Sequence, residues 1–309
     1  MKKISFMLLA VMLLVSCAKS EPEPQPYRMF RDDLMGTFMS ITAHGEGAQE
    51  AVHAAFEQIE LLHNVVSRIY DGETIEDWTS YMYNRLLEQS QFVYEETNGA
   101  FNHQLRPLIE LWGIGTEHER VPSQAEIDEA LAQSGYDFGA IAKGYAAETA
   151  VFYMRNYRIE GALIELGGDI VAWGTRPDGA PWRIGLRSPL GDGAVIGTIE
   201  LSGSWAMMTS GSYERYFEQD GIRYHHIFDP ATGYPADSGL LSVTVMFPDH
   251  TQADAYSTAF FVMGIEDSSE IIRKWKLMSA IFITEDLDVH LVGEFAQAFN
   301  LTDDRFRIV

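Results

Sequence analysis

Cysteine is almost missing. Cys17 is the single one in 309 residues. With one thiol, a disulfide within the chain and a cysteine-ligated metal centre are both excluded. Positive charge is scarce as well: 22 lysines and arginines face 45 aspartates and glutamates, and the net charge is −23. A chain this acidic does not hold nucleic acid through the phosphate backbone, and charge does not draw it to anionic lipid. Long hydrophobic runs are lacking except over residues 4–15, which is too short for a comfortable membrane span. There is no internal repeat and no internal low-complexity segment.

The N-terminus reads as a processing signal. Lys2 and Lys3 form a basic leader, and residues 4–15 form its apolar part. Leu14-Val15-Ser16-Cys17 resembles a bacterial lipobox, with cleavage before Cys17 and lipid on its sulfur. The alternative is an ordinary signal peptide with a chance cysteine, but the only cysteine stands where the lipid goes. Residues 1–16 are thus expected to be removed, leaving a mature chain without a free thiol. Residues 17–26, rich in proline and polar side chains, form an extended tether. The expected location is the bacterial cell envelope, extracytoplasmic, held to a membrane through the lipid alone.

Residues 27–309 remain, with a composition 46% hydrophobic in the whole chain, enough for a sizeable core. Residues 30–43 read as a strand. Residues 46–70 carry Val52, Phe56, Ile59, Leu62 and Val66 at helical spacing. A second helix over 81–97 ends at Asn98-Gly99, a pair that tolerates left-handed backbone. A further helix starts at Pro122 and runs to about residue 133. After residue 160 the pattern changes to short strands separated by hairpin signals, Gly167-Gly168-Asp169 and Asp220-Gly221 among them. Helices are then expected over 252–263 and 266–276. The fold class is α+β, with a helix-rich N-terminal part and an antiparallel-sheet-rich C-terminal part forming one unit.

Residues 137–148, DFGAIAKGYAAE, are the centre of the chain. Asp137 is placed to cap a helix, Gly139 and Gly144 allow close approach, and Lys143 shares a face with Ala140 at spacing three. A helix start seats phosphate, so this stretch suits a phosphate-rich ligand. A capped, buried helix with one exposed lysine is the plainer reading, and local features alone favour it. An acidic protein with a phosphate ligand suggests Mg²⁺, although solvated surface carboxylates explain the charge equally well.

Four other stretches carry polar side chains worth weighing. Thr209-Ser210-Gly211 lacks the flanks of a nucleophile elbow and reads as a tight turn. His225 and His226 lie on a strand and face opposite ways, so at most one serves a given site. Asp229 follows at the strand end, and a histidine near a carboxylate suits general-base work, although a partly exposed histidine and a turn aspartate fit these residues equally well. Asp254, Ser257 and Thr258 fall on one helical face, three hard oxygens fit for Mg²⁺ or for plain capping and backbone bonding. Gly167-Gly168-Asp169 is more often a turn than a site.

Taken in order, nine short segments resemble the ApbE-type flavin transferases: 35–37, 98–101, 111–113, 137–148, 165–170, 182–189, 209–211, 226–233 and 253–264. Each is weak alone; their order across the chain is specific. The resemblance implies an enzyme that cleaves FAD at its pyrophosphate with Mg²⁺. FMN passes to a threonine or serine of a flavin-acceptor protein, expected to be a membrane-associated redox subunit, and AMP leaves. It implies metal ligation by Asp254, Ser257, Thr258 and the Ala140 carbonyl. It also implies flavin-nucleotide contacts from Met35, Tyr70, Ala100, Phe101, Asn102, Asp137, Lys143 and Ile227, with His226 as the base. The alternatives are an FAD pyrophosphatase and a non-catalytic flavin-binding lipoprotein. The chain departs from the family pattern between Tyr70 and Arg85, which is short, and at Gly135-Tyr136-Asp137, where two elements join directly. It departs again at Asn102-His103 and Ser212.

Overall fold

A computed structural model describes residues 25–309. The signal segment, Cys17 and the tether up to residue 24 lie outside the described residues. The chain starts with a hairpin, β1 (Tyr27–Leu34) and β2 (Thr37–His44). The sequence reads here as one strand over 30–43, and the structure differs because Met35 (φ 50°) and Gly36 (φ 67°) both take left-handed backbone. That pair makes the tight turn that matches strand twist, and a methionine in it gives little warning.

Five helices follow: α1 (Ala48–Tyr70), α2 (Ser80–Glu96), α3 (Arg106–Trp112), α4 (Gln124–Leu131) and α5 (Ala142–Met154). The apolar spacing of α1 is used as expected, with Val52, Phe56, Ile59, Leu62 and Val66 all buried. Ser123 and Glu126 form a reciprocal capping box at the start of α4. Then come β3 (Gly161–Leu166), β4 (Asp169–Gly174), β5 (Trp182–Arg187), β6 (Val195–Leu201), β7 (Gly203–Gly211), β8 (Tyr216–Gln219), β9 (Ile222–His225) and β10 (Leu240–Phe247). The chain closes with α6 (His250–Lys274), β11 (Ser279–Thr284), β12 (Asp288–Val292), β13 (Asn300–Leu301) and β14 (Arg307–Ile308). Gly264 (φ 75°) breaks α6, which accounts for the two helices read from the sequence. No helix among the described residues is long and apolar enough to cross a membrane.

Nine strands form one sheet in the order β1-β2-β3-β4-β7-β10-β11-β12-β14. Neighbours are antiparallel except β12 and β14. Alternation along the strands sends side chains to two cores. Ile41, Ile164, Val245 and Phe282 pack against α1, α5 and α6 through Phe56, Ala147 and Phe260. Met207, Met246 and Ile281 face the other way, onto Trp182, Ile184 and Ile199 of the small sheet β13-β6-β5. Each such side chain, fully buried, contributes roughly 1.5–3 kcal/mol relative to exposure. A third cluster joins α3 and α4 to the loop after β9 through Leu108, Trp112, Ile127 and Phe228. Trp112 Nε1 donates to the Gly233 carbonyl at 2.9 Å, fixing that loop.

α5 and α6 cross at Gly144. A Cβ built there overlaps the His250 carbonyl and comes within 2.7 Å of Asp254 Cβ. Only glycine allows this approach, and it sets the site described next. Gly144→Ala is therefore expected to cost about 1–3 kcal/mol through overpacking. The thermal midpoint should drop by roughly 3–10 °C. A midpoint equal to that of the parent chain would contradict the close crossing.

Candidate active site

The α5–α6 crossing brings a lysine between two carboxylates. Lys143 Nζ lies 3.3 Å from Asp169 Oδ2 and 3.5 Å from Asp254 Oδ1. Both acids are nearly inaccessible to solvent, at 3% exposure each. Asp169 Oδ1 accepts from the Thr209 amide at 2.7 Å, and Asp254 Oδ2 accepts from the Gly144 amide at 2.8 Å. Burial pushes the Asp169 carboxyl up to about 6; Lys143 pulls it back, and the Asp254 charge raises it further. Burial works against the Lys143 ammonium, but the two carboxylates outweigh it and hold its pKa above the ordinary lysine value.

Hydroxyls complete the cluster. Ser210 Oγ meets Ser257 Oγ at 2.8 Å and Thr258 Oγ1 at 3.0 Å. Ser257 also donates to the Asp254 carbonyl at 2.7 Å. The helical face read from Asp254, Ser257 and Thr258 thus exists. Asp137 is a correction: α5 starts at Ala142, with Ile141 at its cap. Asp137 instead accepts from the Gly139 amide at 2.8 Å, a side-chain turn that competes with helix. Ala140 lies in the turn before α5, so it does not share a helical face with Lys143. In a continued helix the Gly144 amide would reach back to the Ala140 carbonyl. It donates to Asp254 instead, which leaves that carbonyl free of the bond.

Among the described residues, no three His, Cys, Asp or Glu side chains gather as a metal site. The cluster holds two carboxylates and three hydroxyls. An all-oxygen donor set fits a hard cation such as Mg²⁺ and not a soft one.

Tyr70, Asp137 and residues 101–103 form a second network. Tyr70 Oη accepts from the Phe138 amide at 3.1 Å, and the Asp137 amide donates to the His103 carbonyl at 2.9 Å. The Arg106 guanidinium lies 5.1 Å from the Tyr70 ring centre. Burial first, then the nearby Asp137 charge, raises the Tyr70 phenol. Phe101 is buried and its amide donates to Thr97 Oγ1 at 3.1 Å, following the turn at Ala100. Asn102 Oδ1 is engaged locally, accepting from the Gln104 amide at 2.9 Å. Parallel rings run from Phe101 through His103 and Tyr136 to Phe138. Met35 is tied to neither network; its amide donates to His63 Nδ1 of α1 at 3.2 Å, two turns before Tyr70.

The adjacent histidines differ in state. His225 is buried: Nε2 donates to the Ala236 carbonyl at 3.1 Å, and Nδ1 accepts from the Ile227 amide at 3.2 Å. It fixes the buried Ile227 in place. His226 has the opposite tautomer. A carbonyl only accepts, so its Nδ1, 3.1 Å from the Arg215 carbonyl, carries the proton. Nε2 then holds a free lone pair. Burial first and Arg215 second push the ring down to about 3, so it is neutral at physiological pH. Asp229 is not its partner: Oδ1 accepts from the Ala231 amide and Oδ2 from Thr232 Oγ1, building the turn at 229–233.

Two residues of the cluster escape the sequence reading. Asp169 follows Gly167 and Gly168, both at positive φ, and starts β4 as a buried acid where a turn residue is expected. Ser210 sits in β7, not in a tight turn. Its strand parity with the buried Ala206 and Met208 points it at the helices, and that parity is the missed signal.

His103, His225, His226 and His250 are all held below the ordinary imidazole value, by burial before any other cause. The unfolded chain therefore binds more protons below pH 6.5, and stability present above that pH is lost as pH falls. His250, at about 4, contributes about 2 kcal/mol of that loss by pH 5. Asp169 and Asp249, whose carboxyls burial raises, act in the opposite sense, two groups against four. The thermal midpoint is expected to fall by at least about 5 °C between pH 7 and pH 5. A flat or rising midpoint over that range would contradict these burial states.

The ApbE family profile matches residues 35–282. An FAD:protein FMN transferase of Treponema pallidum is 32% identical, covering 88% of this chain and 89% of its own length. One from Klebsiella pneumoniae is 38% identical over 69% of this chain and 72% of its own. Among solved structures, the Thermotoga maritima ApbE protein superposes with a TM-score of 0.78 at 32% identity, covering 89% of this chain and 99% of the other. The Pseudomonas stutzeri flavinyl transferase ApbE superposes at 0.72 and 27% identity, over 86% and 93%.

Proposed function

The chain belongs to the ApbE family, and we propose that it is an FAD:protein FMN transferase using Mg²⁺. The observation that carries the reading is the oxygen cluster of Asp254, Ser257, Thr258 and Ser210 beside Lys143. Relatives named for this reaction support it across most of the chain. In the transfer, a threonine or serine hydroxyl of the acceptor attacks the FMN phosphorus of FAD. The pyrophosphate P–O bond breaks, AMP leaves, and the hydroxyl proton goes to His226 Nε2. When bound, Mg²⁺ supplies charge stabilisation to the phosphoryl oxygens. Asp254, Ser257, Thr258 and the Ala140 carbonyl are the residues that would hold it.

The neutral His226, donating Nδ1–H to Arg215, keeps its basic nitrogen oriented outward from that bond. Among the described residues, Lys143 is the cation that forms ion pairs with the cluster's carboxylates, and it suits the pyrophosphate charge. Tyr70, Asp137, Met35, Ile227 and residues 100–102 would hold the flavin nucleotide. We further propose lipid attachment at Cys17, an envelope location, and residues 27–309 as one transferase unit acting on a membrane-associated acceptor. The support for the anchor is the sequence of residues 1–17 alone.

Two variants test the assignment, read by AMP release and by covalent flavin on an acceptor domain. Asp254→Ala is expected to abolish Mg²⁺-dependent AMP release. His226→Gln is expected to slow transfer by about 10²–10⁴-fold while leaving the Kd for FAD within threefold. Unchanged AMP release in the first would remove Asp254 from the site. Equal losses of binding and transfer in the second would make His226 a binding residue.

A further inference from the structure

Lys143 stands against the carboxylate that would ligate a metal cation. Its ammonium stands 3.3 Å from Asp169 and 3.5 Å from Asp254, one positive charge between two buried negative ones. A Mg²⁺ ligated by Asp254 would sit about 2.0–2.1 Å from a carboxylate oxygen. With the lysine still in place, two cations would share that oxygen in a low-dielectric pocket, where their repulsion is strong. Without the lysine and without metal, the two carboxylates would repel each other with nothing between them. The trio carries a charge of −1, short of what a divalent ion and a pyrophosphate require together. Among the described residues Asp169 makes no hydrogen bond to the three hydroxyls; its polar side-chain partners are the Thr209 amide and Lys143.

We propose that Lys143 is a resident counter-ion that a divalent cation displaces, with Asp169 as the positioning residue that holds it while metal is absent. Cation binding then turns the ammonium out of the carboxylate pair and toward the pyrophosphate. Substrate charge is met only after the metal has arrived, which orders the assembly of the site. This inference rests on the transferase reading and adds a metal-driven movement to it.

The test uses the full chain without FAD or acceptor, so its failure leaves the transferase reading standing. Lys143, Lys274 and Lys276 are the only lysines after Lys19, so amine acetylation at each is resolved by peptide mass spectrometry. With saturating Mg²⁺, Lys143 is expected to acetylate at least fivefold faster, while the exposed Lys274 and Lys276 do not change. An unchanged or slower Lys143 rate overturns the proposal, and the parent chain cannot fail this measurement by misfolding. The second arm titrates Mn²⁺ by its electron paramagnetic resonance signal. Lys143→Met should bind Mn²⁺ at least tenfold more tightly than the parent. Equal or weaker binding overturns the displacement.

Discussion

Everything at the site depends on two buried carboxylates that must not be left alone. Asp169 and Asp254 are each 3% exposed, and an isolated buried charge costs several kcal/mol. The fold meets this with backbone amides, one from Thr209 in β7 and one from Gly144 in α5, and with the Lys143 ammonium. The two acids and the Lys143-Gly144 pair that serves them are far apart in sequence. Asp169 comes from the start of β4, Lys143 from the first turn of α5, and Asp254 from the second turn of α6. The α5–α6 crossing at Gly144 brings them together, since any side chain there would hold the helices apart.

That constraint explains why the site is an oxygen cluster and not a conventional metal cage. Ser257 and Thr258 follow Asp254 on the same face, and Ser210 closes the group from the sheet. The Gly144 amide spends its bond on Asp254, and the Ala140 carbonyl is released as a consequence. One glycine thus sets the helix spacing, orients an acid and frees an acceptor. On the far side, Trp112 and its bond to Gly233 pin the loop carrying Ile227, while the Arg215 carbonyl sets the tautomer of His226. The segment carrying the base bridges two cores, with Phe228 packed under α3 and α4 and Ile227 in the core of α5 and α6.

Much of this was legible beforehand, and the gaps have physical reasons. Periodicity found α1 and the face of α6 because long amphipathic helices repeat their pattern many times. The Asp220-Gly221 turn was readable because both residues tolerate positive φ, as they show at 55° and 78°. Met35 adopts the same backbone without any such signature. The start of α5 was misplaced because Asp137 can cap a helix or close its own turn, and the turn won. Asp169 was hidden for another reason: a Gly-Gly-Asp turn reads as surface, and only the strand pairing of β4 with β3 and β7 shows that it is buried. The Asp254, Ser257 and Thr258 face was readable as a local pattern, but its pairing with Lys143, over a hundred residues away, was legible only through family resemblance.

Transferase and pyrophosphatase differ in where the flavin phosphate goes. The most direct measurement incubates the soluble chain with FAD, Mg²⁺ and a flavin-acceptor domain, then counts AMP by chromatography and flavin-labelled acceptor by intact mass. Transfer predicts one AMP for each acceptor carrying FMN, with free FMN negligible and neither product formed when Mg²⁺ is chelated. AMP accompanied by an equal amount of free FMN, with the acceptor unlabelled, would contradict transfer and mean that water takes the place of the acceptor hydroxyl.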